Sequence, residues 1–316
     1  MSKKIKHFLV TGGVGFIGSG ISRFLVKKGY KVTIFDNNSR GSVNKIRGLR
    51  NSVNVIHGDI RDYKKLEKSL KGVDAVIHLA YVNGTKFFYS KPILILDIAT
   101  KGIINIIDAC VKNKIKELYL ASSSEVYQTP NKIPTNEMES LKIPNIYNPR
   151  FSYGGGKILT ELMGVHYGKK YFNKLIIFRP HNVYGPDMGN EHVIPEFIKR
   201  MKKISNKKNF FTIKGSGNES RSFIYIDDFV SAFSLLIKKG KHLNIYNIGT
   251  TERIKIKNLA KKMSNILKKK ILIRKGRIAK GGTKNRCPDI KKIKKLGFRQ
   301  KILLEQGLRK TIDWYY

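Results

Sequence analysis

A tyrosine and a lysine four positions apart have the types and spacing that most directly suggest chemistry. Tyr153 and Lys157 enclose the run Tyr-Gly-Gly-Gly-Lys. On a helix, positions i and i+4 lie on one face about one turn apart, so the lysine ammonium can lie beside the phenol. A free phenol has a pKa of about 10, and a nearby positive charge lowers that pKa. The pair is therefore a candidate general base for a hydroxyl group.

The spacing of this pair is weak evidence alone, because the chain has 63 Lys+Arg and 15 Tyr. A second motif, Thr-Gly-Gly-Val-Gly-Phe-Ile-Gly, follows an apolar run and opens a segment with helical spacing. Its glycines allow a tight turn, close approach of the backbone to a pyrophosphate, and packing of the helix on the strand. The motif predicts a dinucleotide site at Gly12, Gly15, Phe16, Ile17 and Gly18.

An acidic residue ends the second apolar run. Asp36 lies 21 positions after Gly15, close to the interval at which a carboxylate accepts the adenosine ribose 2′-hydroxyl. We place Asn37 in the same site. The motif favours NAD over NADP, although Arg40 is a counter-signal because an arginine can hold a 2′-phosphate.

Two further strand ends carry candidate cofactor contacts. Gly58-Asp59-Ile60 closes the third strand and His78-Leu79-Ala80 closes the fourth, which places Asp59, Ile60, Leu79 and Ala80 at the carboxyl edge of a parallel sheet. Asp59 could meet the adenine, or it could cap the helix before Tyr63, or do both.

Short apolar runs alternate with helical stretches along the first 178 residues. Strands are predicted near 5–10, 31–35, 53–57, 74–78, 116–121 and 174–178, and helices near 16–28, 63–71, 92–112 and 153–171. This alternation predicts an α/β fold with a Rossmann-type doubly wound parallel sheet.

Composition bounds the class of protein. The 316 residues, 41% of them hydrophobic, can bury one large core or two smaller ones. Cys110 and Cys287 stand without a Cys-x-x-Cys or Cys/His partner, so we expect neither disulfides nor a metal site. The start Met-Ser-Lys-Lys leaves no room for a signal peptide and no apolar stretch reaches the length of a membrane span. We expect a soluble, cytoplasmic protein.

The formal net charge of +41 raises the alternative of a nucleic-acid partner. Lysines are densest at 199–208 and 255–295, without aromatic interleaving and without helix-turn-helix, zinc-finger or KH signatures. We therefore expect compositional bias at the surface rather than nucleic-acid binding.

Further motifs occur in order along the chain. The serine-rich segment 121–127, Ala-Ser-Ser-Ser-Glu-Val-Tyr, follows the fifth strand, and 179–186 (Arg-Pro-His-Asn-Val-Tyr-Gly-Pro), 221–228 (Arg-Ser-Phe-Ile-Tyr-Ile-Asp-Asp) and 286–289 (Arg-Cys-Pro-Asp) come later. With the glycine loop and Tyr-x-x-x-Lys, this set resembles the extended short-chain dehydrogenase/reductase family in its nucleotide-sugar epimerase, dehydratase and decarboxylase branch. The resemblance spans the chain.

The resemblance implies NAD as a tightly held cofactor and oxidation of a sugar hydroxyl, usually at C4, in a nucleotide-diphosphate sugar. It implies that Ser123 hydrogen-bonds the hydroxyl while Tyr153 removes its proton, and that Lys157 also holds the nicotinamide ribose. Ser122 and Ser124 are alternatives for the serine role.

The resemblance also implies substrate contacts and an architecture. Asn182, Arg221 and Arg286 match positions that contact the diphosphate or nucleotide, the alternative for the arginines being surface salt bridges. Residues 1–178 would form most of the NAD-binding domain, with a smaller C-terminal α/β lobe over 179–316 that partly returns at about 223–250. The helices near 92–112 and 153–171 would pair with a second subunit into a homodimer.

Glu125 bears on the step that follows oxidation. It resembles the glutamate of 4,6-dehydratases and UDP-glucuronate decarboxylases, and a carboxylate there could take the C5 proton. Alternatively it caps a helix or pairs with a lysine, and Ser124 stands where one dehydratase group has Asp. We expect 4,6-dehydration ahead of 4-epimerisation, with decarboxylation or simple 4-dehydrogenation after these. A non-catalytic nucleotide- or RNA-binding module is the alternative from another class.

Overall fold

The computed structural model describes residues 5–204, 210–277 and 281–316. The start Met-Ser-Lys-Lys and parts of both lysine-rich stretches, at 205–209 and 278–280, lie outside the described residues.

The strands of the described chain are β1 His7–Thr11, β2 Lys31–Asp36, β3 Val53–His57, β4 Ala75–His78, β5 Glu117–Ala121, β6 Lys174–Pro180, β7 Val183–Tyr184, β8 Phe210–Ile213, β9 Ser220–Ser222, β10 Ile224–Tyr225, β11 Asn244–Ile248, β12 Arg253–Lys255, β13 Leu272–Lys275 and β14 Asn285–Arg286.

A parallel sheet of seven strands forms the centre of the described chain, in the order β11-β6-β5-β4-β1-β2-β3. It contains all six predicted strands and adds β11, which pairs with β6 at one edge. The predicted Rossmann-type α/β fold is confirmed.

Helices cover both faces of this sheet. Successive side chains of a strand point to opposite faces, so Phe8 and Val10 of β1 join one apolar cluster and Leu9 joins the other. The helices of the described chain are α1 Phe16–Lys27, α2 Tyr63–Ser69, α3 Thr85–Ser90, α4 Pro92–Lys112, α5 Phe151–Tyr171, α6 Val193–Lys202, α7 Ile226–Lys239, α8 Ile256–Ile266, α9 Lys291–Lys295 and α10 Leu304–Tyr315. Of these, α2, α4 and α5 pack on the face that holds Leu9, while α1 and α7 pack together on the face that holds Phe8 and Val10.

The carboxyl-terminal part of the chain builds three small sheets beside the carboxyl ends of the central strands. β7 pairs with β10, β8 pairs with β13, and β9 lies between β12 and β14. Between these elements the chain returns to the large sheet through α7 and β11. This arrangement leaves a cleft between the central sheet and the small sheets, and the candidate site lies in it.

Candidate active site

A cavity of about 1180 Å³ occupies the cleft at the carboxyl edge of the central sheet. In an open parallel α/β sheet this edge is where ligands bind. The cavity wall contains every sequence-predicted site residue: Gly12, Gly15, Phe16, Ile17, Gly18, Asp36, Asn37, Asp59, Ile60, Leu79, Ala80, Ser123, Glu125, Tyr153, Lys157, Asn182, Arg221 and Arg286.

The glycine loop between β1 and α1 fits a dinucleotide. Gly12 has a φ of +71°, and a Cβ there would lie 2.8 Å from the backbone nitrogen of Ala80. A Cβ on Gly18 would lie 2.1 Å from the carbonyl oxygen of Gly12, so the start of α1 packs directly on the turn. These contacts require glycine, and they hold the N-terminus of α1, with its partial positive charge, at the cavity wall.

Asp36 ends β2 at the cavity wall. Its carboxylate accepts hydrogen bonds from the backbone nitrogens of Val14 at 3.1 Å and Asn38 at 2.8 Å, which fix it against the glycine loop. Burial raises the pKa of Asp36, and the two backbone donors oppose that rise. This placement suits acceptance of hydrogen bonds from ribose hydroxyls.

Asp59 lies next to this carboxylate and accepts a hydrogen bond from the Asn37 amide at 2.9 Å. Hydrogen bonds from Arg61 lower the pKa of Asp59 to about 2. The capping role considered for Asp59 is wrong, because Asp62 precedes α2 and accepts from the backbone nitrogen of Lys65. Asp59 precedes this capping residue along the chain and is held instead by Arg61.

Arg40 is engaged by protein groups. Its guanidinium donates to the carbonyl oxygen of Asn83 at 2.9 Å and to Glu191 at 3.2 Å, and it stacks on the Phe87 ring at 4.3 Å. Arg40 lines the same cavity as Asp36, but its guanidinium is already bound to these protein groups, which weakens it as a signal for NADP.

Tyr153 and Ser123 meet at the centre of the cleft. Tyr153 lies in the first turn of α5 and Ser123 follows β5; both line the cavity, and the Ser123 hydroxyl acts to lower the pKa of the phenol. Ser123 also accepts a hydrogen bond from the backbone nitrogen of Glu125 at 3.1 Å, which fixes its rotamer.

The neighbouring serine has a different partner. Ser122 donates a hydrogen bond to Glu161, and Glu161 also accepts from Nε and Nη2 of the buried Arg179 guanidinium. Both charged groups are almost fully buried and paired. Of these two serines, Ser123 is the one whose hydroxyl meets Tyr153.

Lys157 lies one turn after Tyr153, as predicted, but its contacts differ from the expectation. Its ammonium donates to the carbonyl oxygen of Ala121 at 2.7 Å and lies over the Tyr81 ring, 3.9 Å from the centroid. Burial lowers the pKa of Lys157 to about 7, and Glu161 partly opposes this.

The Tyr153 phenol lies where water is largely excluded. Burial raises its pKa, and the neighbouring Ser123 hydroxyl partly opposes the rise. The expected effect of the Lys157 charge on the phenol stays a prediction.

Glu125 forms ion pairs with two arginines beside Tyr153. Its carboxylate pairs with Arg286 at 2.8 Å and with Arg150 at 3.6 Å. Burial would raise the pKa of Glu125, but Arg286, Arg150 and Arg221 together lower it to about 2. The carboxylate is ionised near neutral pH, and its partners are arginines rather than the lysine considered from sequence.

The three predicted substrate contacts lie on the lobe side of the cleft. Arg221 donates to the carbonyl oxygens of Ser220 and Thr283 at 2.8 and 2.7 Å, and burial lowers its pKa to about 10. Asn182 donates to the carbonyl of Ser222 at 2.8 Å. The alternative of surface salt bridges does not describe Arg286, which is almost fully buried against Glu125.

Three residues outside the predicted catalytic and binding set lie at the catalytic centre. The Tyr153 ring stacks on Phe88 at 4.8 Å and meets Tyr81 edge-on at 5.2 Å, and Arg150 holds Glu125. For two of them, the position in the sequence relative to the predicted motifs is the signal that could have identified them. Tyr81 directly follows the His-Leu-Ala strand end, and Arg150 precedes Tyr153 by three residues, which is nearly one helical turn.

This site belongs to a known class of enzyme. Residues 8–249 match the model of the NAD dependent epimerase/dehydratase family, which is most of the chain. The chain therefore belongs to this family, and the sequence resemblance is confirmed. Its cofactor is NAD.

Curated relatives divide among three reactions. The chain is 34% identical to a putative UDP-glucose 4-epimerase of Methanocaldococcus jannaschii, with 97% of each chain covered. It is 31% identical to a UDP-N-acetyl-alpha-D-glucosaminuronate decarboxylase of Bacillus cytotoxicus, with 98% of each covered. It is 33% identical to a dTDP-D-glucose 4,6-dehydratase of Dictyostelium discoideum over 83% of this chain, which spans 62% of that relative's length.

A solved structure of a 4-epimerase has a closely similar fold. A UDP-N-acetylglucosamine 4-epimerase from Methanobrevibacter ruminantium M1 superposes with a TM-score of 0.88 at 28% identity, covering 99% of both chains. Within the described residues, no helix is long and apolar enough to cross a membrane.

Proposed function

We propose that the protein oxidises C4 of a nucleotide-diphosphate sugar and then carries out a second step at C5. The placement of Tyr153 and Ser123 together on the cavity wall supports this proposal most directly, because it brings a phenol and an orienting hydroxyl to one place in the cleft. Tyr153 takes the proton of the C4 hydroxyl, Ser123 orients that hydroxyl, and Lys157 holds the nicotinamide ribose.

The cofactor site extends from the glycine loop to the catalytic tyrosine. We assign the pyrophosphate to the glycine loop at Gly12, Gly15, Phe16, Ile17 and Gly18. The adenosine ribose and adenine then lie at Asp36, Asn37, Asp59 and Ile60, and the remaining part of the dinucleotide lies against Leu79 and Ala80. When bound, NAD accepts the hydride from C4 and returns it to the sugar later in the reaction. A cavity of about 1180 Å³ suits a dinucleotide together with a nucleotide sugar.

The substrate diphosphate needs cationic partners. Arg221 faces the cavity with a guanidinium that binds oxygen atoms in pairs, and Asn182 and Arg286 stand on the same side. We assign these three residues to the diphosphate and nucleotide.

For the second step we propose 4,6-dehydration with Glu125 as base. A ketone at C4 acidifies the C5 proton, and the ionised Glu125 carboxylate lies beside Tyr153 to receive it. The C6 hydroxyl then leaves with a proton as water, and a C5=C6 double bond forms. Two arginine partners make this carboxylate a weak base. Arg286 therefore has to shift toward the substrate diphosphate during the reaction, which raises the basicity of Glu125.

Decarboxylation of a sugar acid is the second candidate, and a specific observation favours it. Arg150, Arg221 and Arg286 act on a single carboxylate, so the site carries excess positive charge where a C5 carboxylate would lie. 4-Epimerisation, the reaction named for the Methanocaldococcus relative, needs no group at C5.

The test is incubation of the NAD-loaded protein with UDP-, GDP-, dTDP- and CDP-sugars and their uronates. Loss of water from a hexose establishes dehydration, loss of CO₂ from a uronate establishes decarboxylation, and unchanged mass with a new proton spectrum establishes epimerisation. A Tyr153→Phe variant is the control. Turnover by that variant at the wild-type rate would contradict the proposal, and so would inertness of the wild type toward the whole panel.

We further propose a homodimer formed through α4 and α5. Ile93, Leu96 and Ile104 of α4 and Leu162 of α5 are apolar yet exposed in the single chain. Large exposed apolar side chains on two helices that pack together are typical of an interface. We keep residues 1–178 and 179–316 as the domain division, with the return at about 223–250. A cytoplasmic location is also proposed, because Cys110 and Cys287 are buried free thiols.

A further inference from the structure

We infer that Tyr81 is a positioning residue of the active site, whose ring face holds the Lys157 ammonium at the cavity wall and keeps it charged. This inference rests on the proposed function, in which Lys157 holds the nicotinamide ribose one helical turn from Tyr153. Tyr81 touches neither the reacting atoms nor a proton in transit, and it acts through Lys157 and Tyr153.

The contacts of the Tyr81 ring are the first observation. Its face lies 3.9 Å from the Lys157 ammonium, measured to the ring centroid, and its plane stands at 89° to the Tyr153 ring at 5.2 Å. An ammonium over an aromatic face is attracted by the negative charge density of that face, most strongly where water is excluded. One side chain therefore contacts both members of the Tyr-x-x-x-Lys pair.

The surroundings of Lys157 show why such a contact matters. From β4, the buried His78 hydrogen-bonds with Thr11 and is held neutral by its own burial. From β5 the Ala121 carbonyl accepts from the ammonium, and from α5 Glu161 acts on it while paired with Arg179. A buried ammonium with these neighbours loses much of its hydration, so the Tyr81 ring supplies attraction that water would otherwise supply.

The hydroxyl of Tyr81 is not the functional part. It is buried and has no hydrogen-bond partner among the described residues. The hydroxyl oxygen packs against Gly156, and a Cβ added to that glycine would lie only 2.2 Å from it. Replacing it by hydrogen leaves no donor or acceptor unpaired, so phenylalanine at position 81 should retain the function.

The test compares three side chains at position 81 in the NAD-loaded protein. Phenylalanine keeps the ring face, and pentafluorophenylalanine, installed by amber suppression, keeps the ring shape but reverses its charge distribution. Leucine removes the ring. The first readout is the pH dependence of Lys157 acetylation by trace acetic anhydride, followed by mass spectrometry. The second is the alkaline limb of the kcat/KM profile.

Loss of the cation–π contact destabilises the charged form of Lys157, so its pKa falls and the ammonium deprotonates at lower pH. We expect the acetylation midpoint and the alkaline limb to move down by about one pH unit with pentafluorophenylalanine or leucine, and to stay in place with Tyr81→Phe. Melting temperatures identify variants that do not fold, and either of the two disruptive variants decides the question.

Pentafluorophenylalanine at Tyr147, an exposed ring, is the matched control and should leave both readouts unchanged. An unchanged acetylation midpoint in the folded disruptive variants would overturn the inference, and so would an equal shift in the Tyr147 control. The acetylation readout needs no turnover, so failure of the proposed function leaves this test intact.

Discussion

Two adjacent serines at the end of β5 do different work. Ser123 lies at the cavity wall with Tyr153 and lowers the pKa of its phenol, while Ser122 donates to Glu161, which is paired with the buried Arg179. The first contact bears on proton transfer and the second on the stability of the turn that presents Ser123.

Alanine substitutions should separate these roles. We expect Ser123→Ala to lower kcat about 100-fold with little change in melting temperature, because the sugar hydroxyl loses its orienting partner. Ser122→Ala should lower the free energy of unfolding by about 1 kcal/mol and change kcat only a few-fold. Steady-state kinetics and thermal denaturation measure both effects, and the reverse pattern would assign the catalytic role to Ser122.

Glu125 should matter for the second step more than for the first. In Glu125→Gln the amide cannot accept the C5 proton, so product formation should fall by about 10²–10⁴ while C4 oxidation continues. Reduced nicotinamide should then accumulate on the enzyme, which absorbance in a stopped-flow experiment detects. Glu125→Asp, which retains a carboxylate, is the control. An equal fall in both steps would show that Glu125 only holds Arg286 and Arg150.

At this scale the sequence identified residue types better than it identified partners. Tyr153, Lys157 and Ser123 follow from short motifs, and all lie at the cleft. The contact of Arg286 with Glu125 joins residues 161 positions apart, and no local pattern encodes such a pair. The raised pKa of Tyr153 likewise depends on burial by Phe88 and Tyr81, which only the packed structure shows.

Helix α5 shows how an element adapts to its site. The three glycines inside Tyr-Gly-Gly-Gly-Lys weaken helix propensity by about 1 kcal/mol each relative to alanine, yet α5 runs without interruption from Phe151 to Tyr171. A Cβ on Gly154 would lie 2.7 Å from the Gln128 amide, and one on Gly156 would lie 2.5 Å from Ala99 as well as close to Tyr81. Two of the glycines therefore make room for neighbours.

Alanine at the other glycine should behave differently. Gly155 has only the flexible end of Ile143 nearby, at 3.3 Å, so Gly155→Ala should stabilise the protein by about 0.5–1 kcal/mol through helix propensity. Gly156→Ala should destabilise it by about 1–3 kcal/mol and lower activity, because Tyr81 and Ala99 must move. Chemical denaturation gives both values. Equal effects of the two substitutions would show that propensity alone governs this helix.

The strands of the large sheet were predictable because each is a short apolar run between turn residues. β11 was not predicted as a strand, since asparagines at both Asn244 and Asn247 interrupt its apolar pattern. It becomes a strand by pairing with β6, which lies about 70 residues earlier in the chain. Register across such a distance is a tertiary property.

On the scale of the whole molecule, the exposed apolar side chains of α4 and α5 predict a second subunit. Leu162→Glu would place a charge in the proposed interface, and we expect the dimer to dissociate into monomers. Light scattering after size exclusion measures this. Leu272→Glu, at an exposed leucine on β13, is the matched control and should remain dimeric. A monomeric wild-type protein, or a Leu162→Glu protein that stays dimeric, would contradict the proposed interface.

The central claim is that hydrogen leaves C4 of a nucleotide-linked sugar and returns to the same molecule. The measurement that tests it most directly uses substrates labelled with deuterium at C4, with the product analysed by mass spectrometry and NMR. If the hydrogen returns to the sugar, the product keeps the label, at C6 for dehydration and at C4 for epimerisation or decarboxylation. Label released on free reduced nicotinamide would show a simple dehydrogenase, and no turnover of any labelled sugar would contradict the proposed reaction.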